Sequence, residues 1–253
     1  MGSLRDRHAL VTGGGRGIGL AVAQALTQAG ARVTIVGRDM EVLESAVAAG
    51  HAYGWAAADV TNATAIKRAA DVAAKQDGPI ELLIANAGAA ESASFLKTDP
   101  AVFQHMLNLN LMGVVHAAQA VLGPMVGRGF GRIVAVASTA GLKGYPYVSA
   151  YCAAKHAVIG LVRALALETA AAGVTVNAVC PGFTDTDLVA ESLDRIVRKT
   201  GRSPEEALAE FVRHNPQGRL VAPREVADAV LWLCGEGAAA VTGQAIAIAG
   251  GEV

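Results

Sequence analysis

The sequence predicts an α/β fold: one doubly wound domain over residues 1–253, with a parallel sheet of about seven strands, helices on both faces and a helical lid over one edge. Three observations predict it. Strand-like apolar runs alternate with helical patterns along all 253 residues, as βαβ units do. Several strands are apolar at consecutive positions, as expected of strands buried on both faces. A glycine-rich turn follows the first strand and opens the first helix.

The elements follow in order. Residues 9–12 form a short apolar strand closed by glycines. A helix runs over 18–29 and stops at Gly30. A strand over 33–36 is followed by a helical pattern through Ala49. A third strand, 54–58, ends at Asp59, before a helix over 63–75 and a break at Gly78 and Pro79. Strand 80–85 leads into Asn86, Ala87 and Gly88. One long helix is expected over 100–126, a fifth strand over 132–137, a second long helix over 149–172 and a sixth strand over 174–179. Residues 185–215 are more charged and helical, in two amphipathic stretches separated at 200–204. Ser203 before Pro204 reads there as a helix N-cap with proline at the first position. A helix over 223–234 and a strand over 244–249 complete the pattern.

Composition excludes several classes. Hydrophobic residues make up 53% and charged residues 17%, which is incompatible with a disordered chain. A net charge of −1 gives no basic field for nucleic acid or a membrane surface. Cys152, Cys180 and Cys234 are too few and scattered for a disulfide scaffold or a metal site, and a reduced, cytoplasmic setting fits them. Residues 1–8 are charged and lack the apolar stretch of a signal peptide. No run of about 18 apolar residues is read, so no membrane span is expected.

The turn holds Gly13, Gly15, Arg16, Gly17, Ile18 and Gly19 between strand and helix. Glycine permits a tight turn there and lets backbone N–H groups approach a pyrophosphate at the helix N-terminus. The spacing departs from G-x-G-x-x-G. At the end of the second strand, an acid would bond the ribose 2′-hydroxyl of NAD, and an arginine would accommodate the 2′-phosphate of NADP. Gly37 is followed by Arg38, with Arg16 as a second cation. NADP(H) is therefore preferred and NAD(H) remains possible. Asp39 is either a helix N-terminal residue or, in the NAD alternative, the ribose acid.

Further segments carry a resemblance: Asn86 to Gly88, Asn110 to Gly113, Ser138, Tyr151 with Lys155, Pro181 with Gly182, and Thr242 with Gly243 through Gly250 and Gly251. In this order they resemble the short-chain dehydrogenase/reductase family over essentially the whole chain, and so a Rossmann-type dinucleotide-binding domain. Residues 155–160, 177–183 and 216–219 are similar to those of 3-oxoacyl-thioester reductases and polyketide ketoreductases. The family usually has Asn where this chain has Ala85.

Tyr151 and Lys155 are four residues apart and share one helix face. A free phenol ionises near pH 10; a neighbouring ammonium is expected to lower that value and let Tyr151 exchange a proton with a carbonyl oxygen. Ser138, at the end of the fifth strand, would hold that oxygen. The resemblance implies that Lys155 holds the nicotinamide ribose and that Asn110 anchors a water relaying protons to it. It also implies contacts of Asp59 and Val60 with adenine, of Ala87 and Gly88 with adenosine, and of Pro181, Gly182, Thr184 and Thr186 with the nicotinamide side. Asp59 reads equally as a helix N-cap. Asn86 is expected to bond neighbouring strand backbone. Hydride transfer calls for no metal.

On the substrate side, residues 185–215 read as a lid and 144–148 as pocket lining with two tyrosines. Arg195, Arg198, Lys199, Arg202 and Arg213 read first as a solvated face balanced by Glu191, Asp194, Glu205, Glu206 and Glu210, with the alternative that some of them meet coenzyme A or carrier-protein phosphates. The expected activity is NADPH-dependent reduction of a 3-oxoacyl thioester. Two alternatives stand beside it: a secondary-alcohol dehydrogenase for a cyclic, aromatic or steroid-like substrate, and a non-catalytic dinucleotide sensor. The resemblance also implies a homo-oligomer, as a homotetramer paired through the two long helices, with small-molecule or acyl-thioester substrates as its other partners.

Overall fold

The computed structural model describes residues 4–253, with the Lys199 side chain outside the described atoms. Seven parallel strands form one sheet in the order β3-β2-β1-β4-β5-β6-β7. They are β1 (His8–Thr12), β2 (Arg32–Gly37), β3 (Gly54–Ala57), β4 (Ile80–Ala85), β5 (Gly131–Val136), β6 (Val174–Pro181) and β7 (Ala245–Ile248). The order reverses direction between β1 and β4, so a crevice opens there beyond the strand ends. This is the Rossmann arrangement that the sequence predicts.

Alternate residues of each strand enter opposite cores. Leu10, Leu83 and Ile133 face one cluster, with Val114, Val158 and Val162 from the helices over it. Val11, Ile84 and Val134 face the other, with Val22, Leu26, Val226 and Val230. That double burial is why the central strands lack a polar alternation. The helices over the first face are α3 (Ala63–Asp77), α5 (Gly113–Arg128) and α6 (Ser149–Thr169); α1 (Gly17–Gln28), α2 (Met40–Ala48) and α9 (Pro223–Cys234) cover the second.

The long helix expected over 100–126 is broken. It consists of α4 (Pro100–Leu107), a π-helical turn (Asn108–Met112) and α5. The cause is Asn110, whose Nδ2 donates to the Met106 carbonyl at 3.1 Å and so competes with the helical backbone. π-Turns of this kind concentrate at functional sites.

The absence of a span-like run is also corrected. Pro100–Arg128 and Ser149–Ala172 are each long and apolar enough to cross a bilayer. Their apolar character belongs to the core face they share against the sheet. The lid comprises α7 (Asp187–Thr200) and α8 (Pro204–Val212). Ser203 caps α8 as expected, and Glu206 completes a reciprocal box: Ser203 Oγ accepts from the Glu206 N–H at 3.2 Å and Glu206 Oε2 from the Ser203 N–H at 3.0 Å.

Leu83 is fully buried at the sheet centre. Leu83→Ala is expected to lower the unfolding free energy by about 3 kcal/mol, read from urea denaturation followed by circular dichroism.

Candidate active site

The sheet's C-terminal edge holds the site. Gly13 leaves β1 at φ +65°, and a Cβ there would lie 2.9 Å from Asn86 Nδ2, so a side chain would meet both strain and a clash. Asn86 joins β4 to this turn. Its Nδ2 donates to the carbonyls of Thr12 at 3.0 Å and Gly13 at 3.1 Å, while Thr12 Oγ1 accepts from the N–H groups of Asn86 at 3.0 Å and Ala87 at 3.2 Å. The expected backbone role of Asn86 is what the structure shows. Gly19 departs from expectation. It does not line the cavity; it lies behind the turn, where a Cβ would come within 2.1 Å of the Gly13 carbonyl oxygen. Its place is in packing α1 against the turn after β1.

A cavity of about 1230 Å³ runs along this edge. Gly13, Gly15, Arg16, Gly17 and Ile18 line one stretch, with Arg38 beside them; Asp59, Val60, Asn86, Ala87 and Gly88 line the next. Asn110, Ser138, Tyr151, Lys155, Pro181, Gly182, Thr184 and Thr186 line the far end. The glycine turn fits a dinucleotide: Arg16, the N-cap of α1, supplies no side-chain cap, which leaves the first N–H groups of the helix to an anion. Asp39 turns out to be a helix N-cap, accepting from the Val42 N–H at 3.3 Å and pairing with Arg16 at 3.3 Å. Asp59 caps no helix. Its Oδ1 accepts from the Thr61 N–H at 2.9 Å and hydroxyl at 2.8 Å, and those bonds, the backbone one first, hold its carboxyl below the ordinary value. Asn62 is the residue that caps α3, taking the Ala65 N–H at 3.0 Å.

At the far end, α6 carries Tyr151 and, one turn later, Lys155. Lys155 is buried, and its Nζ donates to the Val136 carbonyl at 2.9 Å. The Nζ lies 5.6 Å from the centre of the Tyr151 ring. Burial pushes the Tyr151 phenol up to about 12, against a hydrogen bond to Ser138 that pulls it down. Burial pulls the Lys155 ammonium down to about 8. Desolvation, and not the neighbouring amine, thus sets the phenol's acidity in this structure, against the expected lowering by the ammonium, and at neutral pH the proton sits on Tyr151. Asn110 Nδ2 donates to the carbonyls of Ala89 at 3.0 Å and Met106 at 3.1 Å. Its Oδ1 is buried without a hydrogen-bond partner among the described residues. That oxygen and Lys155 Nζ both flank Gly88, at 2.6 Å and 3.5 Å from where its Cβ would stand. A buried acceptor left open beside an amine is suited to hold a water between them. Ser138 Oγ accepts from the Ala140 N–H at 3.1 Å, which orients the hydroxyl at the strand end.

The substrate side holds residues that sequence reasoning missed. Tyr145 and Tyr147 line the cavity as expected, but Phe183, Phe211 and His214 join them. Phe183 stood beside the recognised Pro181 and Gly182; Phe211 and His214, on or just after a lid helix, carried no motif. Among the lid cations, Arg198 pairs with Asp194 at 3.8 Å, and Arg202 and Arg213 pair with Glu210 at 3.2 Å and 2.9 Å. These three form the solvated face; Arg195 lines the cavity. The expectation for Lys199 lies outside the described residues.

The buried amine has a measurable consequence. Between pH 8 and 10 an unfolded chain keeps a proton on Lys155 that the folded protein has released, because its ordinary value is 10.5 and its buried value about 8. Lys155 should therefore contribute about 2 kcal/mol of stability that grows with pH across this window, against the opposite contribution of the buried thiols of Cys180 and Cys234, whose folded values lie above the ordinary one. Urea unfolding at pH 8, 9 and 10 is expected to show the stability of the parent relative to Lys155→Met rising by about 2 kcal/mol across the series, and a constant difference would remove Lys155 from the titration.

Comparison with known proteins agrees with this geometry. The family described as short chain dehydrogenase matches residues 7–196. A putative ketoacyl reductase of Streptomyces coelicolor is 38% identical over 249 residues, covering 96% of this chain and 95% of that protein. A 2-(S)-hydroxypropyl-CoM dehydrogenase of Xanthobacter autotrophicus is 38% identical over 253 residues, covering 98% and 97%. The crystal structure of a variant of actinorhodin polyketide ketoreductase with NADPH superposes with a TM-score of 0.93 at 36% identity, covering 100% of this chain and 99% of that one. The chain belongs to the short-chain dehydrogenase/reductase family and is an NAD(P)(H)-dependent oxidoreductase acting between CH–OH and C=O groups.

Proposed function

We propose that the chain is an NADP(H)-dependent ketoreductase that reduces a 3-oxoacyl group carried as a thioester on coenzyme A or a carrier protein. The observation that carries this reading is the convergence of Ser138, Tyr151, Lys155 and the open Asn110 Oδ1 at one end of a cavity whose other end presents Arg38 and Arg16. The names of the ketoacyl reductase and ketoreductase relatives support the substrate class.

The roles follow from the residues. Gly13, Gly15, Gly17 and Ile18 would cradle the pyrophosphate, and Arg38 with Arg16 the 2′-phosphate. Asp59, Val60, Ala87 and Gly88 would border the adenosine, with Asn86 holding the turn in place. Pro181, Gly182, Thr184 and Thr186 would border the nicotinamide, and Lys155 and Tyr151 its ribose. When bound, the dinucleotide supplies the hydride. Ser138 orients the carbonyl oxygen, and Tyr151, protonated at neutral pH, donates its proton there. Lys155, whose amine titrates near 8, can restore that proton, with the Asn110 Oδ1 side open to a water. Residues 1–253 act as one catalytic domain with 185–215 as the lid. A cytoplasmic location suits three buried, unpaired cysteines. A homotetramer suits the exposed apolar residues on the long helices, Val126 on α5 and Leu167 on α6, and gel filtration tests it.

A second reading has its own support. Phe183 and Phe211 rings meet edge to face at 4.6 Å, and Tyr145 meets Phe183 likewise at 6.0 Å, a wall suited to a cyclic or aromatic ketone. Initial rates with acetoacetyl-CoA against cyclohexanone and aryl ketones separate the two. The first reading expects the thioester to have the higher kcat/KM, and a preference for the ring ketones sinks it.

Tyr151→Phe is expected to lower kcat by 10²- to 10⁴-fold in a protein that still quenches NADPH fluorescence. Turnover at the parental rate would remove Tyr151 from the chemistry. Arg38→Ala is expected to reduce the NADPH-over-NADH ratio of kcat/KM by about tenfold, and an unchanged ratio would take the 2′-phosphate away from Arg38.

A further inference from the structure

The geometry points to Glu252 as a positioning residue that sets which ketones this enzyme accepts. It lies in the segment after β7, far in sequence from the catalytic helix, yet its side chain is only 2% exposed. It sits directly behind the substrate wall. The Tyr145 hydroxyl, which also lies 2.7 Å from Thr139 Oγ1, donates to Glu252 Oε1. Lys143 Nζ approaches the same oxygen at 3.2 Å and donates to the Glu252 backbone carbonyl at 3.2 Å. His214 Nδ1 lies 3.8 Å away. Glu252 Oε2 stands 3.0 Å from where a Cβ on Gly182 would be, against the turn that carries Phe183.

A buried carboxylate is costly unless partners satisfy it. Here the partners are two side chains of the cavity wall, Tyr145 and His214, with Lys143 as counter-charge. The consequence for the wall is directional. The Tyr145 hydroxyl is turned backward, and its ring stands edge-on to Phe183 and, at 5.7 Å, to His214. The cavity thus meets rings instead of a phenol hydroxyl. Burial and the Glu252 bond both push the Tyr145 phenol above its ordinary value, which keeps it a donor toward Glu252. The position also ties the wall to the lid. Gly250 passes so close to Asn215, just beyond α8, that a Cβ would fall 1.9 Å from Asn215 Oδ1. The segment bearing Glu252 therefore packs against the end of the lid. Glu252 touches no reacting atom; it acts through Tyr145 and His214 by holding an apolar, aromatic face toward the larger substituent of the ketone.

This inference rests on the ketoreductase reading, and the test separates the two. KM and kcat are measured with NADPH for two 3-oxo esters that differ at C3, one carrying phenyl and the other methyl. Glu252→Ala is expected to raise KM for the phenyl ester about tenfold, with kcat little changed and KM for the methyl ester within about twofold. Glu252→Gln, which can still accept the Tyr145 bond, is expected to restore most of the phenyl affinity. An equal change for both esters, or no change for either, overturns the proposal, as does failure of Gln to rescue. Should Glu252→Ala not fold, Tyr145→Phe, which removes the hydroxyl's bonds to Glu252 and Thr139 and keeps the ring, must give a selective rise that Thr139→Val does not. If the parent reduces neither these esters nor acetoacetyl-CoA, the ketoreductase reading falls, and calorimetric Kd values for both esters in parent and variants decide the Glu252 proposal: a weakening confined to the phenyl ester upholds it, and equal changes overturn it.

Discussion

An amine held inside the protein governs this site. Lys155 Nζ has one backbone acceptor, the Val136 carbonyl at the end of β5. Burial of a cation on so little polar support depresses its basicity, and the same desolvation keeps the neighbouring phenol protonated. Both effects come from the packing around α6. Gly141 has no room for a Cβ, which would sit 2.7 Å from the Lys155 carbonyl oxygen. Gly88 admits Asn110 Oδ1 from the opposite side. The helix can carry the amine this deep because the strand end and the turn beside it carry no side chains in its way.

The cavity divides by chemistry along the sheet edge. The β1 and β2 ends bring backbone N–H groups and two arginines. The β5 end brings the Ser138 hydroxyl, and α6 packed beside it brings the Tyr151 phenol and the Lys155 amine. A parallel sheet makes this division natural, because every strand delivers its C-terminal end to the same side. The two arginines and the Tyr151–Lys155 pair thus line one groove while their charges stay apart. The substrate side is different in kind: rings drawn from the 144–148 loop, the turn after β6 and the lid.

Much of this was legible from spacing alone. The alternation of elements, the glycine turn, the Tyr151–Lys155 pair and Ser138 at a strand end are local features whose meaning survives without coordinates. Asn86 was likewise read correctly, because a polar residue at a strand end among apolar neighbours needs backbone partners. Other assignments failed for identifiable reasons. Asn110 carried a warning in its helix-breaking character, but only a competing carbonyl, that of Met106, turns a poor helix former into a π-turn. Asp59 and Asn62 are both able to cap a helix, and which one does so depends on where the chain turns. Gly19 looked like one more glycine of the loop, whereas its contact is with the back of the turn.

The sequence by itself determined the doubly wound sheet, the glycine turn and the pairing of Tyr151 with Lys155 on one helix face, because hydrophobic period, glycine placement and helical spacing are properties of neighbouring residues. Tertiary structure alone decided the ionisation of that pair, the open acceptor on Asn110 and the placement of Glu252 behind Tyr145. Each of these depends on desolvation or contact between segments far apart in the chain, and neither quantity exists until the chain has folded around them.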